Sequence, residues 1–133
     1  MNIDSRILAQ VAEQAAETPP RWDFLTNHTH VLLCVSHDSG IRLRDIAAAV
    51  GITERSAHKI LSELVEESYV LRERHGRRNR YKVKSEMPLR HPLVQEREVG
   101  ELLEVLMRPA ARTRRPPKIQ EDAVQEAETE RRS

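Results

Sequence analysis

The sequence predicts a mainly α fold with one small β-hairpin, and three observations carry that reading. Apolar residues recur at i, i+3, i+4, i+7 in successive segments before Ser68, the spacing that gives a helix one buried face. After Ser68 the period becomes two, around a glycine-containing turn, as in a pair of strands. Aromatic residues make up only 3% of the 133-residue chain, so its core is aliphatic.

In the N-terminal segment, Ile3, Ile7, Leu8, Val11, Ala12 and Ala15 share one helical face, with Asp4 or Ser5 available as a cap. The helix is expected over residues 1–18 and stops at Thr18-Pro19-Pro20, because proline lacks the amide that continues a helix. A second helix is expected from Trp22, closed by Asp38, Ser39 and Gly40, with Phe24, Leu25, Val31, Leu32 and Val35 on its apolar face. Leu43, Ile46, Ala47 and Val50 mark a short third helix. Gly51 follows where a helix end favours a left-handed residue, and Ile52 fills the turn. Thr53 is placed to cap a fourth helix over Glu54–Glu67, which buries Ala57, Ile60, Leu61 and Leu64.

Helix, glycine turn and capped helix at this spacing form a helix-turn-helix. Its first helix braces the second, leaving Glu54, Arg55, Ser56, His58, Lys59 and Ser62 on a free face. One helix fits the major groove of DNA, where side chains near its N-terminus reach base edges.

The segments "YVLRER" and "RYKVK" alternate as strands, with "HGRRN" as a hairpin turn between them. From Arg72 to Val83 the chain holds five arginines and one lysine in twelve residues, although its net charge is only +1. Residues 1–40 are net −3, residues 41–91 net +5 and residues 92–133 net −1. A basic middle between acidic ends predicts a surface that faces a polyanion. The cations of a projecting hairpin beside the reading helix are placed to meet phosphates, with Arg77 or Arg78 able to enter a minor groove.

The stretch "LRDIAAAVGITERSAHKILSELVEESYVLRERHGRRNRYKV" resembles the winged helix-turn-helix of small prokaryotic transcription regulators of the MarR/ArsR-like type. It is similar as well to the DNA-binding domain of IclR-like regulators. The resemblance spans about residues 22–91, with Leu43–Val50 as the bracing helix, Glu54–Glu67 as the recognition helix and Arg72–Lys84 as the wing. It implies a cytoplasmic, usually dimeric DNA-binding protein. Two departures stand out: no large ligand domain is expected after the wing as in IclR proteins, and the flanking helices are shorter than in typical MarR proteins.

The residues expected at DNA are Arg44, Thr53, Glu54, Arg55, Ser56, His58, Lys59, Arg74, Arg77, Arg78, Arg80 and Lys82. A further helix is expected over residues 92–107, with Pro92 in its first turn. Its stripe of Val99, Leu102, Leu103 and Leu106 either covers the domain's own core or forms the interface of a homodimer, and the dimer is the expectation. Residues 108–133 are basic and proline-containing, then acidic and polar, and are read as a disordered charged tail.

Other chemistries find less support. His30, Cys34 and His37 fall at i, i+4, i+7, but the outer pair are about 10 Å apart along a helix, too far for one ion. No metal and no cofactor is expected, and a lone Cys34 in "VLLCV" reads as a small hydrophobe in a reducing compartment. No Walker loop, dinucleotide glycine pattern, G-x-S-x-G or H-E-x-x-H is present, so no enzyme is expected. No apolar run approaches a membrane span, and the N-terminus does not read as a signal peptide. The function expected is a sequence-specific regulator that binds double-stranded DNA. The alternative is a winged-helix module that meets an acidic protein partner without binding duplex DNA.

Overall fold

The structure, a computed structural model, describes residues 5–17 and 21–109. Five helices and one hairpin follow in the order α1 (Ser5–Glu17), α2 (Asn27–His37), α3 (Leu43–Val50), α4 (Glu54–Glu66), β1 (Val70–His75), β2 (Arg78–Val83) and α5 (Val99–Met107). The Thr18–Pro20 stop, the Asp4 cap and the tail beyond Pro109 lie outside the described residues.

The core is aliphatic, as the shortage of aromatics requires. Val31 and Val35 of α2, Ile46 of α3, Ala57 of α4 and Val70 of β1 are its most enclosed side chains. Ala57 is fully buried; a larger side chain there would force α4 off its neighbours. α1 lies against α3 and contributes Leu8. Cys34 is buried among these residues, and burial pushes its thiol up to about 11, so at neutral pH it is an uncharged apolar group.

The start of α2 corrects the sequence expectation. The helix begins at Asn27, not Trp22, with the Thr26 hydroxyl accepting from the Thr29 amide. Ahead of it the Asp23 carboxylate accepts from the Leu25 amide at 3.1 Å and meets His30 at 2.7 Å. An aspartate that satisfies the backbone two residues on competes with helix formation. Phe24 is therefore not on the apolar face of a helix: it is 89% exposed, packed edge-on against Trp22.

Between α3 and α4 the chain turns as the glycine demands. Gly51 has φ of 85°, and its amide and that of Ile52 both bond the Ala47 carbonyl. A side chain at Gly51 would clash with its own backbone in this left-handed region. The hairpin is antiparallel, with Val70 opposite Val83, Arg72 opposite Tyr81 and Glu73 opposite Arg80. Gly76 has φ of 65° at the first central position of the two-residue turn, where a II′ hairpin takes glycine. β1 leaves the core after Val70, and its other residues are exposed, so the hairpin projects. Its root is tied down by the Tyr81 amide on the Ser39 carbonyl at 2.8 Å.

The last helix also differs from expectation. It begins at Val99, not at residue 92: residues 91–96 are turns, with Val94 bonded back to His91 and Arg97 to Val94. The start signal that prevails is a reciprocal capping box between Glu98 and Glu101, not Pro92. The Val99 amide bonds the Met87 carbonyl and the Gly100 amide the Ser85 carbonyl, which seats α5 against the chain leaving the hairpin. The expected apolar stripe is divided. Val99 and Leu103 are buried in the chain's own core, Leu102 is half-buried, and Leu106 stays 38% exposed beside Val105.

Candidate nucleic-acid interface

α4 is amphipathic about its buried line of Ala57, Ile60, Leu61 and Leu64, and that line fixes what faces outward. Glu54, Arg55, Ser56, His58 and Lys59 are all exposed on its N-terminal half. Thr53 is committed locally. Its hydroxyl accepts from the Ser56 amide and donates to the Ser56 hydroxyl, both at 3.0 Å, so it acts first as the cap that starts the helix. The other first-turn amides of α4 remain free of side-chain caps, and the dipole end of the helix favours an anion there.

Between α4 and the hairpin lies a cleft of about 500 Å³. His58 and Ser62 line it from α4, Arg72, Arg77 and Arg78 from the hairpin, and Arg42 from the residue that caps α3. None of the residues lining it is acidic. Four guanidiniums around one concavity repel one another, and water and salt reduce that repulsion to a modest cost. A phosphodiester backbone relieves it and gains charge-assisted bonds. Beside the cleft, Arg55, Ser56, Lys59 and Ser62 border a second shallow concavity on the outer face of α4, with Glu63 and Glu66 at its far side.

The structure thus gathers some of the expected residues and separates others. His58, Arg77 and Arg78 meet in the cleft, and Arg55 and Lys59 stand next to it. Part of Arg78 is spent on the fold, since its guanidinium donates to the Gly40 carbonyl at 3.0 Å. Arg80 points toward the Ser39 hydroxyl at 3.5 Å, and the Nε of Arg74 donates to the Gly76 carbonyl at 3.2 Å. Strand alternation puts Arg80 and Lys82 on the face opposite Tyr81, and Tyr81 lines the cleft. Arg44, on α3, is exposed outside it. Two cleft arginines are not among the individual residues expected at DNA, although Arg72 belongs to the expected wing. Arg72 is in phase with buried Val70 and opposite Tyr81, a phase the alternation already contained. Arg42 sits one residue before α3, a position that carries no signal of its own.

Residues 25–74 match the model of the IclR helix-turn-helix domain, a span that takes in α2, α3, α4 and all of β1 but its last residue. No curated protein matches the chain. Among solved structures the chain is similar to MepR, a transcription regulator of the Staphylococcus aureus multidrug efflux pump MepA. The identity is 14%, with 93% of this chain and 90% of that one covered and a TM-score of 0.40. The braced and capped α4, the left-handed Gly51 turn and the projecting hairpin make this a winged helix-turn-helix, and over residues 25–74 the chain is similar to the IclR helix-turn-helix domain.

Proposed function

We propose that the chain binds double-stranded DNA sequence-specifically and regulates transcription, acting in the cytoplasm as a homodimer. The observation that supports this most is the acid-free cleft of Arg42, Arg72, Arg77 and Arg78 beside the exposed N-terminal half of α4. With α4 in the major groove, a phosphate strand lies along that cleft while Arg55 and Ser56 face base edges. Arg55 carries two donors in one plane and matches the paired acceptors of guanine. Lys59, a turn further along, serves as a point charge for phosphate.

The partner copy is assigned to the accessible part of α5, Leu102, Val105 and Leu106, since Val99 and Leu103 are already occupied within the chain. A two-fold assembly presents two copies of α4 to half-sites about 34 Å apart. Selection of bound duplexes from a random pool, followed by a salt titration on the winner, tests the reading. A single enriched motif whose affinity falls steeply with salt is expected. No duplex binding, together with capture of an acidic protein through the same face, replaces it with a protein-interaction role.

A further inference from the structure

We infer that Asp38 and Arg78 are positioning residues: together they latch the tip of the hairpin to the turn between α2 and α3, and so assemble the arginine cleft. The tip has no apolar anchor, since every residue from Leu71 to Arg80 is exposed. Nearer the root, the Tyr81 amide donates to the Ser39 carbonyl at 2.8 Å, and Arg80 lies 3.5 Å from Ser39 Oγ. At the tip, Arg78 pairs with His75 on the last rung before the turn, and its Nη2 donates to the Gly40 carbonyl at 3.0 Å. The bonds of the neighbouring Arg74 and His75 stay within the hairpin. Arg78 is therefore the side chain that joins the tip to the body of the fold.

The acceptor is itself held in place. The Gly40 amide donates to the Asp38 carboxylate at 3.0 Å, and the Ile41 amide to the Asp38 carbonyl at 3.1 Å. Ile41 is buried in the core, so the turn is seated at one end by packing and closed at the other by Asp38. Two residues beyond Gly40, Arg42 enters the cleft. The latch thus brings Arg77 and Arg78 to the wall made by Gly40, Ile41 and Arg42.

The choice of a carbonyl has a consequence for charge. Arg42, Arg72, Arg77 and Arg78 repel one another, which pushes the tip outward unless something holds it. A carboxylate at the place of the Gly40 carbonyl would hold Arg78 more tightly, but it would cancel one positive charge and repel phosphate. A neutral carbonyl takes one N–H of the guanidinium and leaves its charge and its other donors to the cleft. The Asp38 carboxylate is turned to the Gly40 amide and does not line the cleft. A cleft assembled in the free protein loses less ordering entropy when a polyanion arrives. The latch rests on the fold alone; its effect on duplex affinity rests on the proposed DNA-binding function.

Backbone ¹⁵N relaxation on the free full chain, with anisotropy on the duplex enriched from the random pool, tests the inference. Order parameters at the Gly76, Arg77 and Asn79 amides are expected to fall from about 0.85 to below about 0.6 in Arg78→Ala and in Asp38→Ala, with unchanged circular dichroism. Arg77→Ala, which removes a neighbouring charge, should leave them as in the parent. Removing the Asp38 charge should on electrostatics alone raise duplex affinity. The latch predicts the opposite: Asp38→Ala binds severalfold more weakly, while Asp38→Asn, which keeps the acceptor without the charge, restores the ordered tip and binds at least as tightly as the parent. Unchanged tip order in Arg78→Ala or in Asp38→Ala overturns the latch. A loosened tip in Asp38→Ala with affinity equal to that of Asp38→Asn overturns its role in binding. If the tip loosens as expected and the parent binds no duplex, the DNA-binding reading fails while the latch stands.

Discussion

Arg42 and Arg72 offer the sharpest test of the interface, because the structure places them in the acid-free cleft while nothing local in the sequence marks Arg42. Both side chains are exposed, and surface substitutions of this kind change stability by about 0.5 kcal/mol or less. Their joint replacement by alanine should therefore leave unfolding unchanged and act on DNA alone. Each phosphate contact contributes about 0.9 to the slope of log affinity against log salt, so losing two lowers the slope by about 1.8. Raising salt from about 50 to 200 mM spans roughly 0.6 log units. The affinity advantage of the parent should thus shrink by about 12-fold over that range. Fluorescence anisotropy on one labelled duplex at five salt concentrations measures it. The paired control is Arg80→Ala with Lys82→Ala, on the other face of the hairpin. Equal slopes for parent and cleft variant, or a larger loss in the control, would refute the placement of the phosphate strand in this cleft.

Four further outcomes follow from the same geometry. Arg55→Ala should cost about 1–3 kcal/mol on the selected duplex and much less on unrelated DNA, whereas Lys59→Ala should weaken all duplexes alike; an unchanged selected motif for the Arg55 variant makes it a backbone contact. Leu106→Glu should turn a dimer into a folded monomer by sedimentation, while Leu103→Glu should lower the melting temperature, because Leu103 is 6% exposed in the chain's own core; a parent that is monomeric at tens of micromolar ends the dimer proposal. Gly100→Ala should destabilise by about 1–3 kcal/mol in denaturant unfolding, since the added Cβ meets Ser85 Cβ at 2.7 Å and its carbonyl oxygen at 2.9 Å. His37 has a buried Nδ1 with no partner, and burial lowers its pKa below 6.5 in the folded chain. The unfolded chain then binds a proton first as pH falls, so stability present above pH 6.5 is lost between 6.5 and the lower folded value, and His37→Gln should flatten that part of the profile.

What was legible in the sequence is what short-range physics decides. Gly51 and Thr53 announce a left-handed stop and a cap, and α3 and α4 have the expected first residues, with α3 ending as expected at Val50 and α4 one residue early, at Glu66. The hairpin turn was legible for the same reason, since only a glycine relieves the positive φ at residue 76. The misreadings lie where two local signals compete. Asp23 looks like any polar residue ahead of an apolar run, yet its bonds to the Leu25 amide and His30 hold Trp22 and Phe24 outside α2. Pro92 and the Glu98–Glu101 box both mark helix starts, and the box prevails because two further backbone bonds, Val99 to Met87 and Gly100 to Ser85, require the helix to begin beside the hairpin's exit. The same docking draws Val99 and Leu103 inward, so a stripe that is continuous on a helical wheel serves two neighbours in three dimensions.

The change of sign along α4 was partly legible, and the chain path supplies the rest. Arg55, His58 and Lys59 precede Glu63 and Glu66 along the helix, and Glu54 in the first turn is the exception. The hairpin strengthens this order by bringing Arg72, Arg77 and Arg78 beside His58 and Ser62 at mid-helix, and the turn after it brings Arg90 to the far end, where three carboxylates outnumber it. Net charge per segment located the basic region correctly but averaged over this separation. Bases in the first half of α4 and arginines beside its middle suit that part of the helix to a polyanion. On the proposed DNA-binding function, Glu63, Glu66 and Glu67 would repel phosphates from its far half and so limit the register in which a duplex lies along α4.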